Sequence, residues 1–108
     1  MIERQLQQRF PYTQFEWVEA GIGSTGTTPG SFRLQHDILS KGKVALLFVE
    51  AAVNDDTNRF SALEQVRGME GEVRHALESN PEMDIVMLHF IYDPFIPMIA
   101  RRQMPDVI

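Results

Sequence analysis

Three stretches of this chain carry residue types and spacings that could do chemistry. Asn54-Asp55-Asp56 follows a continuous apolar run, so a carboxamide and two carboxylates gather where a buried strand would end. A side-chain amide there can donate to a developing oxyanion. The acid pair could hold a cation, although two adjacent acids in a loop read first as a solvated turn. Gly21-Ile22-Gly23-Ser24-Thr25-Gly26 spells G-x-G-x-x-G, the spacing that lets backbone amides approach a pyrophosphate, and Glu50 stands 24 residues beyond Gly26 where a ribose-binding acid would be expected. Ser24, Ser31, Ser40, Ser61 and Ser79 have no sequence neighbour resembling an activating base. His36 and His75 fall on expected helices and read as solvated, whereas His89 lies inside an apolar strand and reads as a core residue rather than a base. The chain has no cysteine, which excludes thiolate catalysis, disulfides and cysteine-bound zinc.

The elements that must position these residues follow from periodicity. Ile2, Leu6 and Phe10 recur at helical spacing before Pro11, and Phe15–Ala20 alternates as a strand would. The segment 21–30 is too rich in glycine for regular structure and predicts a loop. Phe32–Leu39 predicts a short helix with Ser31 as its cap, either Phe32, Gln35 and Leu39 or Leu34 and Ile38 on the inner side, and Gly42 just past its end. Val44–Val49 is an unbroken apolar run, the pattern of a strand covered on both faces in a parallel sheet. A polar connection over 55–60 leads to Ser61-Ala62-Leu63-Glu64, a capping-box signature. The helix it opens runs to about Ser79, with Leu63, Val66, Met69, Val73, Ala76 and Leu77 as its apolar stripe. Asn80-Pro81 is a turn, and Asp84–Ile91 a second apolar strand. From Tyr92 onward three prolines predict an irregular tail, with one short helix near Pro97–Gln103. Three strands alternating with three helices make the fold class α/β with a mainly parallel sheet, in one partial domain of a core (1–91) and a tail (92–108). In such sheets sites form beyond the carboxyl ends of strands.

The glycine loop sets two readings against each other. A dinucleotide fingerprint begins its helix inside the motif, so that amides meet the phosphates. Here Thr27-Thr28-Pro29-Gly30 is expected to delay the helix by about a turn, which argues against a nucleotide.

Glu19–Thr28 resembles the second sequence block of the SGNH (GDSL-type) esterases and acylhydrolases, and Val53-Asn54-Asp55 resembles the third, whose G-x-N-D ends a strand. Between them, Phe32–Leu39 is similar to carbohydrate-directed members, and the resemblance spans roughly residues 5–90. It implies a flavodoxin-like three-layer α/β/α core, here incomplete, and an ester substrate, an acyl or acetyl group on a carbohydrate. It implies that Asn54 is an oxyanion donor and that the N–H of Gly23 or Ser24 is a second. Ala52 stands where the family often has glycine. The family's G-D-S and D-x-x-H blocks, which carry nucleophile and base, have no counterpart among these residues, and Asp93-Pro94-Phe95-Ile96 has the acid without the histidine. The chain is therefore expected to be an internal hydrolase fragment that is catalytically silent by itself. A non-catalytic binding module is the alternative.

Composition sets the partners. The 108 residues carry a net charge of −5, with 44% hydrophobic and 23% charged residues, and the ten basic residues are scattered apart from Arg101-Arg102. Neither nucleic acid nor an anionic membrane is an expected partner, no metal or cofactor is expected, and no apolar run approaches a membrane span. No signal segment is recognisable, so the default location is the cytoplasm, although a parent hydrolase could be secreted or periplasmic. By the resemblance, a strand would lie between Phe15–Ala20 and Val44–Val49. Its absence, and that of a strand beyond Asp84–Ile91, is expected to leave open edges and a homo-oligomer, with the tail (Phe95, Ile96, Met98, Ile99) as the segment that crosses over.

Overall fold

The computed structural model describes residues 1–102. It contains helix α1 (Ile2–Arg9), helix α2 (Thr27–Asp37), a 3-10 turn (Leu39–Lys41), strand β1 (Leu46–Glu50), helix α3 (Ala52–Thr57), helix α4 (Ala62–Ser79), strand β2 (Asp84–Leu88) and helix α5 (Phe95–Ala100). The class is α/β with a small parallel sheet: β1 pairs β2 with Leu46 opposite Asp84 and Glu50 opposite Leu88. The crossover between them is α4, as a parallel pair requires.

Helix α4 starts where its sequence says it should. Ser61 Oγ accepts from the Glu64 N–H at 3.3 Å, and the Glu64 carboxylate accepts from the Ser61 N–H at 2.8 Å. These bonds to Ser61 hold the Glu64 carboxyl below its ordinary pKa. Such a cap contributes about 1 kcal/mol. The helix ends at Asn80, whose Nδ2 donates to the Val44 carbonyl at 2.8 Å and whose Oδ1 accepts from the Glu82 N–H at 3.2 Å. One buried side chain thus pins the end of α4 to the start of β1. Leu34, Leu39, Leu47, Ala76 and Met83 form the core, with Ile38, Val44, Val49 and Ile85 packed around them. Each fully buried aliphatic side chain contributes about 1.5–3 kcal/mol.

Five expectations are corrected by the packing. Phe15–Ala20 is not a strand: among the described residues the sheet has two strands, and this segment runs without a ladder partner. Helix α2 begins at Thr27, directly after Gly26, so Pro29 and Gly30 are helical, Ser31 lies inside the helix rather than capping it, and Phe32 is 80% exposed. Pro29 is tolerated because the first turn of a helix does not use its N–H. The stripe predicted for α4 holds only in part: Ala76 is fully buried and Met69 and Val73 half-buried, but Leu63, Val66 and Leu77 are exposed, and the helix buries Gln65, Gly68 and Glu72 in their place. The strand expected over Asp84–Ile91 stops at Leu88, which leaves His89 exposed rather than in the core. Phe95 is fully buried in its own chain, stacked edge-to-face on Tyr92 at 4.5 Å. The tail therefore opens with a docked helix, α5, that begins at Phe95 rather than near Pro97; residues 103–108 lie outside the described residues.

The reversal on α4 has one cause. Helices α2 and α4 pack along each other through Thr27 and Ser31 on one side and Gly68 and Gly71 on the other. A Cβ at Gly68 would collide with the Thr27 side chain and stand 2.7 Å from the Thr28 backbone nitrogen. Small residues bring the backbones together, and that approach turns the polar face of α4 inward. Hydrophobic periodicity does not register it.

Candidate functional site

Beyond β1 the chain turns at once into α3, and this tight turn decides where its polar residues go. Asp55 is fully buried at the amino end of α2. Its Oδ1 accepts from the Thr27 N–H and its Oδ2 from the Thr27 hydroxyl, both at 2.8 Å. The reading of Asp55-Asp56 as a solvated turn is therefore corrected, since neither acid is free. Asp56 accepts from the Tyr92 hydroxyl at 2.8 Å, a bond that raises the pKa of the phenol.

The same contact decides the nucleotide question, on different grounds from those the sequence offered. The helix does follow the last glycine directly, so the expected delay is absent. Its free amides, however, meet an internal anion: the Asp55 carboxylate occupies the amino end of α2, where a phosphate would have to sit. Gly26 permits this, because a Cβ there would strike Asp55 Oδ1. Within the motif, glycine makes room for a side chain of the chain itself.

A cavity of about 1050 Å³ opens between the segment 13–18, the loop, and the whole of 44–51. Asn54, Gly23 and Glu72 line it, whereas Ser24 does not. Ser24 adopts a left-handed φ of 63° and its carbonyl accepts from Asn58 Nδ2 at 3.0 Å, which ties the loop to α3. Of the two candidate loop donors, Gly23 is the one on the cavity wall. Among the described residues neither the Asn54 carboxamide nor the Gly23 N–H makes a hydrogen bond.

Two further acids face the same space: Glu72, which was not a candidate from sequence, and Glu50, which the sequence offered only as a ribose-binding acid. Glu72 is 6% exposed, lines the cavity, and its Oε2 has no hydrogen-bond partner. Burial, with the Asp55 charge as a second cause, pushes its carboxyl up to about 8. Glu50, the last residue of β1, also lines the cavity with a buried, unpartnered Oε1. The sequence signal for Glu72 is its place four residues from both Gly68 and Ala76 and next to Gly71, the small residues of a close-packed helix. That pattern is visible only once the partner helix is known.

The histidines stay apart from this cavity. His36 is solvated and bonded to Asp37, and His75 Nδ1 lies 3.0 Å from the Ser31 carbonyl on the outer side of the α2–α4 contact.

No family model, curated protein or solved structure matches this chain. Among the described residues no helix is long and apolar enough to cross a membrane, and no group of three acidic or histidine side chains could hold a metal ion.

Proposed function

We propose that this chain is the oxyanion-binding part of an SGNH-type ester hydrolase, belonging to a three-layer α/β/α core, and that it is catalytically silent alone. The parent reaction is serine attack on an acyl or acetyl ester of a carbohydrate. In that reading Asn54 and Gly23 donate to the oxyanion, while nucleophile and base come from elsewhere. The observation that carries it is the pair of unengaged donors, the Asn54 carboxamide and the Gly23 amide, on the wall of one cavity at the carboxyl end of β1. Preorganised donors of this kind contribute about 3–4 kcal/mol each when a charge develops beside them. Below about pH 8 Glu72 is neutral and does not repel that charge.

A tetrahedral phosphonate, which imitates the oxyanion, tests the reading. Its titration should move the amide resonances of Gly23 and Asn54, and Asn54→Ala should weaken binding roughly tenfold or more, the value of a hydrogen bond to a charged acceptor. The unaltered chain should leave p-nitrophenyl acetate at the background rate. Phosphonate shifts elsewhere on the surface, or a turnover that Asn54→Ala abolishes, would each contradict it.

The second reading, a non-enzymatic interaction module, is favoured by the sheet. Among the described residues β1 and β2 pair only with each other, so their outer edges are open. Open edges pair with other chains, a second copy included. Light scattering at micromolar concentration reads self-association directly.

A further inference from the structure

The large cavity has walls of an unusual kind. On one side is the free edge of β1. The Asp84 N–H donates to the Ala45 carbonyl at 2.9 Å, which puts Ala45, Leu47 and Val49 in the ladder with β2. Alternation along a parallel strand then turns the N–H and C=O groups of Leu46, Phe48 and Glu50 the other way, toward the cavity. Also lining it is Phe15–Ala20, without a ladder partner among the described residues and held by the Arg33 guanidinium donating to the Ala20 carbonyl at 3.1 Å. Residues 17–22 also line a second hollow of about 500 Å³ with Arg33, Asp37 and Lys41.

Three properties of this space point to its occupant. Its volume, about 1050 Å³, stands at the upper end of small-molecule pockets. A compact ligand leaves a row of alternating backbone donors and acceptors unmet, whereas a strand meets all of them. Phe15, Trp17 and Val18 line it together with β1, while Glu50 and Glu72 each offer a buried carboxyl oxygen without a hydrogen-bond partner. A buried acceptor without a partner costs about 1–3 kcal/mol, so the occupant that fits brings hydrogen-bond donors to these oxygens.

We infer that the cavity is a slot for an extended segment of a partner polypeptide, apolar along about five residues and donor-bearing where it meets Glu50 and Glu72. The five residues of β1 set that length, roughly 17 Å. This inference is independent of the hydrolase reading: it rests on the free edge and the two acids, not on Asn54. A second copy of the chain fits the slot poorly. Its own unpaired segment is Phe15–Ala20, and Glu16 and Glu19 would bring carboxylates, which carry no donors, to the unpartnered oxygens of Glu50 and Glu72.

The test uses the whole chain and a synthetic peptide with a Val/Ile body, Ser-Asn at both ends so that either direction presents donors, and terminal lysines for solubility. At ten times its Kd the peptide should slow amide exchange at Leu46, Phe48 and Glu50, which are unprotected in the free chain, about tenfold. The same peptide N-methylated on its pairing edge loses those donors and should bind at least about tenfold more weakly. Because that control alters the peptide and not the protein, folding cannot confuse it. Equal binding of the two peptides would mean apolar adhesion only and would overturn the proposal. No slowing at the three amides would do so as well. So would a chain that is already dimeric, with those amides protected before any peptide is added.

Discussion

Asp55→Ala is expected to lower the stability of the chain by roughly 3–5 kcal/mol, a large share of the 5–15 kcal/mol that holds a domain together. The carboxylate receives two hydrogen bonds from Thr27 while fully buried, and bonds to a charged acceptor contribute about 1.5–3 kcal/mol each. Truncation also strands the Thr27 N–H and hydroxyl without partners and removes the anion from the amino end of α2. Asp55→Asn retains an acceptor for one of the two donors and should lose clearly less. Urea unfolding of the three proteins decides it. Stability of Asp55→Ala within about 1 kcal/mol of the parent would mean that this contact does not hold α3 to α2, since mutations without a structural mechanism fall in that range.

The second large effect is a dependence on pH with Glu72 as its source. Its carboxyl is raised from 4.5 to about 8, first by burial and second by the charge of Asp55. A carboxyl raised in this way keeps a proton in the folded chain that the unfolded chain has already released. Folding therefore takes up a proton between about pH 4.5 and about pH 8, and stability falls as the pH rises through that window, then levels off above it. Glu72→Gln should remove the slope and leave the variant more stable than the parent at about pH 9, on the order of 2–3 kcal/mol once solvent screening is allowed for. Asp55→Asn removes only the lesser cause, so it should draw in the upper end of the window while leaving most of the slope. Melting temperatures measured across the range compare the three. An equal slope in Glu72→Gln and the parent would assign the titration to another group.

What could be read from the sequence was whatever depends on neighbours along the chain. The capping box of Ser61 and Glu64, the extent of α4 and the turn at Asn80 are local patterns present as expected, and the apolar runs mark both strands, though with shifted or shorter bounds (Leu46–Glu50, Asp84–Leu88). What failed depends on partners distant in sequence. Phe15–Ala20 has the alternation of a strand, but a strand exists only when paired along an edge, and this segment stands apart from the open edges of β1 and β2. Leu63, Val66 and Leu77 make a regular stripe, yet contact through Gly68 outranks it, because close backbone approach is decided by the smallest residues and not by the most apolar ones. Asp55 looked like half of a solvated pair because its partner, Thr27, lies 28 positions away. For the site, Asn54 and Gly23 were legible as candidates and Glu50 was legible only in a nucleotide role, whereas Glu72 becomes a candidate only through burial.

The close contacts between glycines and larger side chains also limit the order in which this sequence can change. Gly26 with Asp55, and Gly68 with Thr27, are pairs in which one member fills space the other leaves vacant. Enlarging the glycine first drives a Cβ into a side chain held by hydrogen bonds; at Gly68 the Thr28 backbone is also in the way. Shrinking the larger partner first opens a void and strands a donor or acceptor. Both single steps lose stability while the pair of steps recovers part of it, so the two changes are epistatic, and a double-mutant cycle on Gly68→Ala and Thr27→Gly should show a coupling of about 0.5–3 kcal/mol. Passage between neighbouring sequences at these positions runs through less stable intermediates, and the buried polar layer between α2, α3 and α4 is held in place by that barrier as much as by its own bonds.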